Sequence, residues 1–269
     1  MGDIDVKEDI KKYIMTKIVL SFDDGRWDEY DAIKLASSYG IKSTLNVTTA
    51  YVENSVYTDA GDCPAMTREQ VIELYKDPNV EIAGHSHTHV NDFIDIVKGQ
   101  RLLEQWLDTN EPLGFASPHS QLDLDLYPLQ KFKEEKFLYV RKSQVYDSLS
   151  GIYRYVRKTS RILGLKWPLY WTYKNTFSNT IEDDYLVHGF GVLRDHSFKQ
   201  IKYLINKAVK NNYDVVLIMH SICKPDHNLA KNLYSWDWAK FDELCRFIQS
   251  MENKGLLESA TTKELILKR

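Results

Sequence analysis

Ile18–Val19–Leu20–Ser21–Phe22–Asp23–Asp24–Gly25 is the stretch on which the fold turns. Its largely apolar first part reads as a buried strand. That strand runs straight into two carboxylates and a glycine, and polar chemistry at the C-terminal end of a strand is the habit of parallel α/β sheets. Adjacent carboxylates repel, which raises one pKa unless each has a partner. A cation would remove the conflict, and Gly25 permits the tight turn that presents both groups. Taken alone, Asp-Asp-Gly is also ordinary turn chemistry.

Outward from this stretch, short apolar runs alternate with amphipathic ones. Strands are expected at residues 41–47, 80–83, 113–116, 138–140, 185–190, 215–219 and 256–258. Helices are expected at 28–39, 93–107, 124–137 (kinked or shortened by Pro128), 198–210 and 238–251. Thr67 with Gln70 forms a capping box for a further helix carrying Val71, Ile72 and Leu74. Such alternation predicts a mostly parallel sheet with helical crossovers, either a closed barrel or a doubly wound sheet. The absence of a repeat or a low-complexity linker predicts one domain over residues 1–269. One segment breaks the rhythm, an aromatic and basic insertion at about 144–182. It carries Tyr146, Tyr153, Tyr155, Trp167, Tyr170, Trp171, Tyr173 and Phe177 among arginines and lysines. Long segments without clear structure often serve as lids or binding loops.

The strand at 80–83 delivers Gly84–His85–Ser86–His87–Thr88–His89, and three histidines within five residues are hard to explain by packing. If this turn is helical, the i, i+4 spacing puts His85 and His89 on one face, where both imidazoles can meet one ion. A carboxylate and two histidines leave open positions for water and substrate, as hydrolytic metal sites require. The late apolar strand delivers His220 and Ser221, a third polar cluster at a strand end, although a histidine there can equally be a satisfied core group.

These segments resemble the polysaccharide deacetylases, carbohydrate esterase family 4, which share the NodB homology domain. Ser21–Phe22–Asp23–Asp24–Gly25 is similar to that family's first motif, with serine for threonine. His85–Ser86–His87–Thr88–His89 matches the second, and Leu217–Ile218–Met219–His220 is similar to the last. The resemblance covers residues 17–267. It implies a distorted (β/α) barrel of about seven parallel strands. Asp24, His85 and His89 would bind a divalent ion, zinc first, with cobalt, nickel, manganese or iron also able to serve. Asp23 would be the general base toward water at the ion, and His220 the general acid that protonates the leaving amine. The family's arginine-bearing third motif is altered: Ala116 stands where arginine is expected, Pro118 aligns, and His119 replaces a tyrosine. His119 would offer its N–H to an oxyanion or contact substrate. Arg141 or Arg194 would supply the missing arginine. Of the aspartates that could orient His220, Asp183, Asp184 and Asp195 are the candidates.

The implied reaction is removal of an acetyl or other acyl group from an N-acetylated sugar, glycan or sugar conjugate. Two alternatives stand beside it: a metal-dependent hydrolase of a non-sugar amide, and a glycan-binding protein with impaired catalysis. A formal net charge of -3 gives no basic face for nucleic acid. Three cysteines without a C-x-x-C pair argue against a disulfide framework. Residues 1–12 lack the apolar region of an export signal, and no apolar run is long enough to span a bilayer. A cytoplasmic protein is expected, with no expectation for its oligomeric state.

Overall fold

Val19, Ala83, Tyr139, Val187, Val216 and Ile218 form one apolar cluster, while Ile18, Leu20, Phe22, Leu45 and Val47 belong to another that includes the helices. Strand residues alternate faces, so two separate apolar sets on the same strands mean a sheet closed on itself: one set fills the lumen and the other takes the helices. The computed structural model describes residues 15–54, 63–145 and 149–267. The readings made on residues 1–12 and on Tyr146 lie outside them.

In chain order the first half comprises β1 (Thr16–Asp24), α1 (Trp27–Ser38), β2 (Ser43–Val47), α2 (Thr49–Asn54), α3 (Arg68–Tyr75), β3 (Val80–Gly84), α4 (Phe93–Leu107) and β4 (Phe115–Ala116). There follow α5 (Leu129–Glu134), β5 (Val140–Ser143), α6 (Ser150–Ile162), α7 (Trp167–Ser178), β6 (Ile181–Glu182) and β7 (Leu186–Gly191). The chain then forms α8 (Phe198–Asn211), β8 (Val215–Met219), β9 (Ile222–Cys223), β10 (Trp236–Asp237), α9 (Trp238–Glu252), β11 (Leu257–Ser259) and α10 (Thr262–Leu267). Strands β1, β2, β3, β4, β5, β7 and β8 pair in parallel in that order, and β8 returns to β1, closing a seven-stranded barrel. The expected (β/α) barrel is therefore the fold. Closure is imperfect at β1, whose first residues pair with β11 before β2 takes over from Leu20 onward.

The lumen is sealed at the N-terminal end of the strands. Glu81 accepts from Tyr139 Oη at 2.9 Å, Thr44 Oγ1 at 2.9 Å and the Lys263 backbone at 2.8 Å. Leu265 of α10 joins the inner apolar cluster beside this network. Burial and the bond with Glu81 push the Tyr139 hydroxyl well above its ordinary value, so it stays a donor.

Three expectations are corrected. The strand placed at 138–140 lies at Val140–Ser143 instead, because its inward positions carry Arg141 and Ser143, which hide it from a hydrophobicity reading. The helix placed at 124–137 shrinks to Leu129–Glu134, starting directly after Pro128. The insertion is not an irregular loop: α6 and α7 occupy most of it. Leu169, Tyr173 and Phe177 join the main core, with the Tyr173 and Phe177 rings 4.8 Å and 5.4 Å from Phe190. Arg157 is buried against the Tyr173 ring at 4.9 Å, while Tyr155 and Trp167 stay exposed. Interleaved cations mask both helices in the sequence, because their aliphatic stems cover apolar surface that polar heads conceal. The Thr67–Gln70 capping box forms as read.

Candidate metal centre and active site

Strand alternation places Ser21 and Asp23 on the same inner face as Val19, and Asn46 and Arg141 inward at the same end of the lumen. Asp23 meets two donors there. Arg141 Nη2 lies 2.7 Å from each Asp23 oxygen, and Asn46 Nδ2 lies 2.9 Å from Oδ1. Asn46 is itself held by Ser21 Oγ at 2.9 Å and the Phe22 carbonyl at 2.8 Å. Arg141 is fully buried, and its Nε and Nη1 have no hydrogen-bond partner among the described residues.

Asp24 turns away at φ 94°, a left-handed conformation that costs a non-glycine residue about 1–3 kcal/mol. Glu29 underwrites that turn: its Oε2 accepts from the Gly25 and Arg26 backbones at 3.1 and 2.9 Å. Asp24 Oδ1 faces His89 Nε2 at 3.2 Å and His85 Nε2 at 3.5 Å, while its Oδ2 pairs with Arg26 at 2.5 Å. Burial alone would raise the Asp24 pKa, but Arg26, His85 and His89 together carry it well below the usual carboxylate range.

The histidine segment is not helical, contrary to the expectation from spacing. It is a loop with Ser86 at φ 65° and His89 at φ 64°, and these left-handed residues bring the two rings to 5.0 Å. Its backbone is tied to α4, where Asp95 accepts from the His87 and Thr88 N–H groups at 2.9 Å each. His87 turns aside to Thr49 Oγ1 at 2.9 Å. His85 Nδ1 lies 2.8 Å from the Ala116 carbonyl, which fixes Nδ1 as the protonated nitrogen and leaves Nε2 bare toward Asp24.

These groups fit a divalent cation. Ligand bonds of 2.0–2.2 Å in tetrahedral geometry separate the donor atoms by about 3.4 Å. The two Asp24 to imidazole distances bracket that spacing, and all three ligand atoms lie within 4.8 Å of one another.

Residues 11–132 match the family model described as polysaccharide deacetylase. The matched part, the first four strands of the barrel and their helices, is similar to that family. No curated protein matches it. Among solved structures it is similar to a family 4 carbohydrate esterase from Bacillus anthracis at 12% identity, covering 95% of this chain and 84% of that one, with a TM-score of 0.50. It is also similar to a mutant of a family 4 pseudoenzyme with restored enzymatic activity, at 12% identity, 94% and 68% coverage and a TM-score of 0.49. A third is a peptidoglycan N-acetylglucosamine deacetylase, at 13% identity, 94% and 88% coverage and a TM-score of 0.48. At such identity the first of these speaks to the barrel fold alone.

Against the family pattern, Arg141 on β5 stands on Asp23, whereas Ala116 offers only its carbonyl. Arg194 does not approach; it goes to the Lys231 carbonyl and to Asp195. His119 sits at φ 51° with its ring 4.4 Å from His89, directly after buried Pro118. His220 follows β8 and is half-buried, with Nδ1 sealed from solvent and without a hydrogen-bond partner among the described residues. Burial lowers its pKa, with Asp24 and Asp23 pulling the other way. None of Asp183, Asp184 and Asp195 bonds to it; the first two are exposed in a turn, and Asp195 faces Arg194. Sequence reading missed Asn46, Arg26 and Glu29. The available signals were the inward parity of Asn46 in register with Asp23, and an arginine directly after the Asp-Asp-Gly turn.

Proposed function

We propose that this chain is a metal-dependent deacetylase that removes the acetyl group from an N-acetylated sugar or sugar conjugate by hydrolysis. The observation that carries the reading is the division of labour between adjacent carboxylates. Asp24 is turned to the Nε2 atoms of two imidazoles, while Asp23 is held by Arg141 and Asn46 on the lumen side. The match to the polysaccharide deacetylase model supports a deacetylase activity; the ion and the sugar are this proposal's own.

A bound divalent ion, zinc first among the candidates, supplies Lewis-acid polarisation of the acyl carbonyl and acidifies water. Asp23 accepts the proton from the attacking water, its carboxylate fixed so that one geometry is presented at each encounter. Arg141 holds that carboxylate and keeps two further donor nitrogens, Nε and Nη1, for a substrate or water oxygen. His220, at the same end of the neighbouring strand β8, returns a proton to the leaving nitrogen as the C–N bond breaks. The backbone N–H of His119 is the candidate oxyanion donor. Tyr234, 5.3 Å from His220, and Tyr51, 5.9 Å from His89, offer ring faces beside the centre on which a sugar can stack.

A second reading has an observation in its favour. The partnerless Nδ1 of His220 suits a glycan-binding chain with impaired catalysis. Acetate release decides between them, assayed on chitin oligomers, N-acetylglucosamine conjugates and small cyclic amides with the zinc-loaded protein. Release from an acetylated sugar supports the proposal. Turnover of cyclic amides alone would move the substrate class, and glycan binding without release would replace the enzyme with a binder.

A further inference from the structure

Behind the Asp-Asp-Gly turn lies a second group of metal-ligating side chains that the catalytic reading does not use. Asp28, in the first turn of α1, receives Cys63 Sγ on Oδ1 at 3.7 Å and Cys223 Sγ on Oδ2 at 3.6 Å. Cys223 Sγ is also 3.5 Å from His227 Nδ1. Asp28, Cys63 and Cys223 are buried, and His227 is half-buried. The ligand atoms of Asp28, Cys223 and His227 all lie within 4.8 Å of one another.

From these contacts we infer that Cys63, Cys223, His227 and Asp28 form a second, structural metal site for a thiophilic divalent cation, zinc above all. The spacing argues for it. Bonds of 2.3 Å to sulfur and 2.0–2.2 Å to nitrogen or oxygen, at tetrahedral angles, separate the ligand atoms by about 3.6 Å. Asp28, Cys223 and His227 meet that spacing, with Cys223 Sγ 3.6 Å from Asp28 Oδ2 and 3.5 Å from His227 Nδ1. Cys63 Sγ stands 3.7 Å from the other Asp28 oxygen, outside that group of three, and would turn inward to become the fourth ligand. The donor set, two sulfurs with one imidazole and one carboxylate, selects zinc over the hard cations that prefer oxygen alone.

Burial pushes the Cys63 thiol up to about 12 and Asp28 above its ordinary value, although the Ser221 hydroxyl and Arg26 pull Asp28 the other way. Binding forms two metal–sulfur bonds and releases both thiol protons to solvent, with no change of oxidation state. Two thiolates and a carboxylate about a divalent ion leave one net negative charge, and Arg26 is close enough to Asp28 to oppose it. Binding would displace the bond from the Leu229 N–H to His227 Nδ1 at 3.1 Å, together with the thiol bonds to Asp28 and to the Pro64 carbonyl.

The site would join three distant parts of the chain. Cys63 precedes α3, Asp28 opens α1, and Cys223 with His227 begins the excursion that follows His220 and carries Tyr234. Ser221 links it to the catalytic centre, accepting from Arg26 Nη1 at 3.0 Å while Arg26 pairs with Asp24. A cation here would brace the rim that presents His220 without itself touching substrate.

Cobalt(II) distinguishes the two centres, because only the proposed one contains sulfur. The full-length His85→Ala chain, reduced, stripped with chelator and titrated with cobalt(II), is expected to bind one equivalent with thiolate-to-cobalt charge-transfer absorption in the near ultraviolet. Zinc should displace that band and protect Cys63 and Cys223 from alkylation, and Cys223→Ser should abolish it. The measurement on the His85→Ala chain uses the native cysteines, so it stands whether or not the serine variant folds. Absence of charge-transfer absorption, with Cys63 and Cys223 alkylated at the same rate with and without zinc, would overturn the site and leave the catalytic proposal untouched.

Discussion

Asp23 and Asp24 are consecutive in sequence and almost opposite in surroundings. Asp24 gives one oxygen to Arg26 and the other to two imidazoles, whereas Asp23 has both oxygens against Arg141 and one against Asn46. The left-handed backbone at Asp24 lets neighbours on one strand end serve two different purposes. Arg141→Lys is expected to lower kcat by about 100-fold, because a flexible ammonium lacks the fixed planar geometry of the guanidinium and small misplacements of a base are costly. Bound zinc measured by mass spectrometry should not change; a kcat within a factor of two of wild type would remove Arg141 from the account. His220 makes a separate prediction. An alkoxide is easier to expel than an amine anion, so His220→Ala should cost about 100-fold or more on an N-acetyl substrate and distinctly less on an O-acetyl ester of the same sugar. Equal losses on both would mean that His220 does not protonate the leaving group.

At the scale of elements, the site depends on how closely α4 approaches the histidine loop. A Cβ added at Gly99 would lie 2.6 Å from the Ser86 carbonyl carbon and 2.7 Å from the His87 nitrogen, both backbone atoms that cannot swing aside. In an exposed helix Gly→Ala gains about 1 kcal/mol. Here Gly99→Ala should instead lower the thermal midpoint and weaken zinc binding at least tenfold, because the loop that carries His85 and His89 must move. Titration with a competing chelator reads the second effect, and unchanged affinity would show that the loop yields without disturbing its histidines.

The same elements show what the sequence makes legible. The apolar run ending in Asp23–Asp24–Gly25 and the run ending in the histidines carry both their strands and their chemistry openly, since hydrophobic periodicity and clustered ligands coincide there. Strand β5 is displaced by two residues from its expected position because Arg141 sits where a lumen strand normally shows an apolar residue. Asn46 is invisible for a related reason: a lone asparagine in a strand has meaning only once register places it across from Asp23. The histidine loop was legible in composition but not in shape, since its convergence comes from left-handed residues rather than helical spacing.

Across the whole molecule, acid stability offers a test that is independent of catalysis. His196 is fully buried, accepts from the Leu193 N–H through Nδ1, and leaves Nε2 unpartnered. Burial, aided by Arg161, pushes its pKa from 6.5 down to about 3. A histidine with a depressed folded value is neutral in the native chain and takes up a proton on unfolding. Its stabilising contribution is therefore whole above 6.5 and is lost as pH falls toward 3, at up to about 1.4 kcal/mol per pH unit. His196→Asn keeps an acceptor for the Leu193 N–H but cannot charge. Its urea midpoint should fall less steeply than that of wild type between pH 6.5 and 4, other acid-sensitive groups being common to both; parallel curves would exclude His196. Among the described residues no helix is long and apolar enough to cross a membrane.

The proposed division between a metal-holding and a proton-accepting aspartate is tested most directly by measuring bound zinc and acetate release together in wild type, Asp23→Asn and His85→Ala. The catalytic equivalent of zinc should persist in Asp23→Asn while acetate release from an N-acetylated sugar is lost. In His85→Ala both that equivalent and the release should disappear. Full acetate release by Asp23→Asn, or an unchanged zinc content and rate in His85→Ala, would contradict the account.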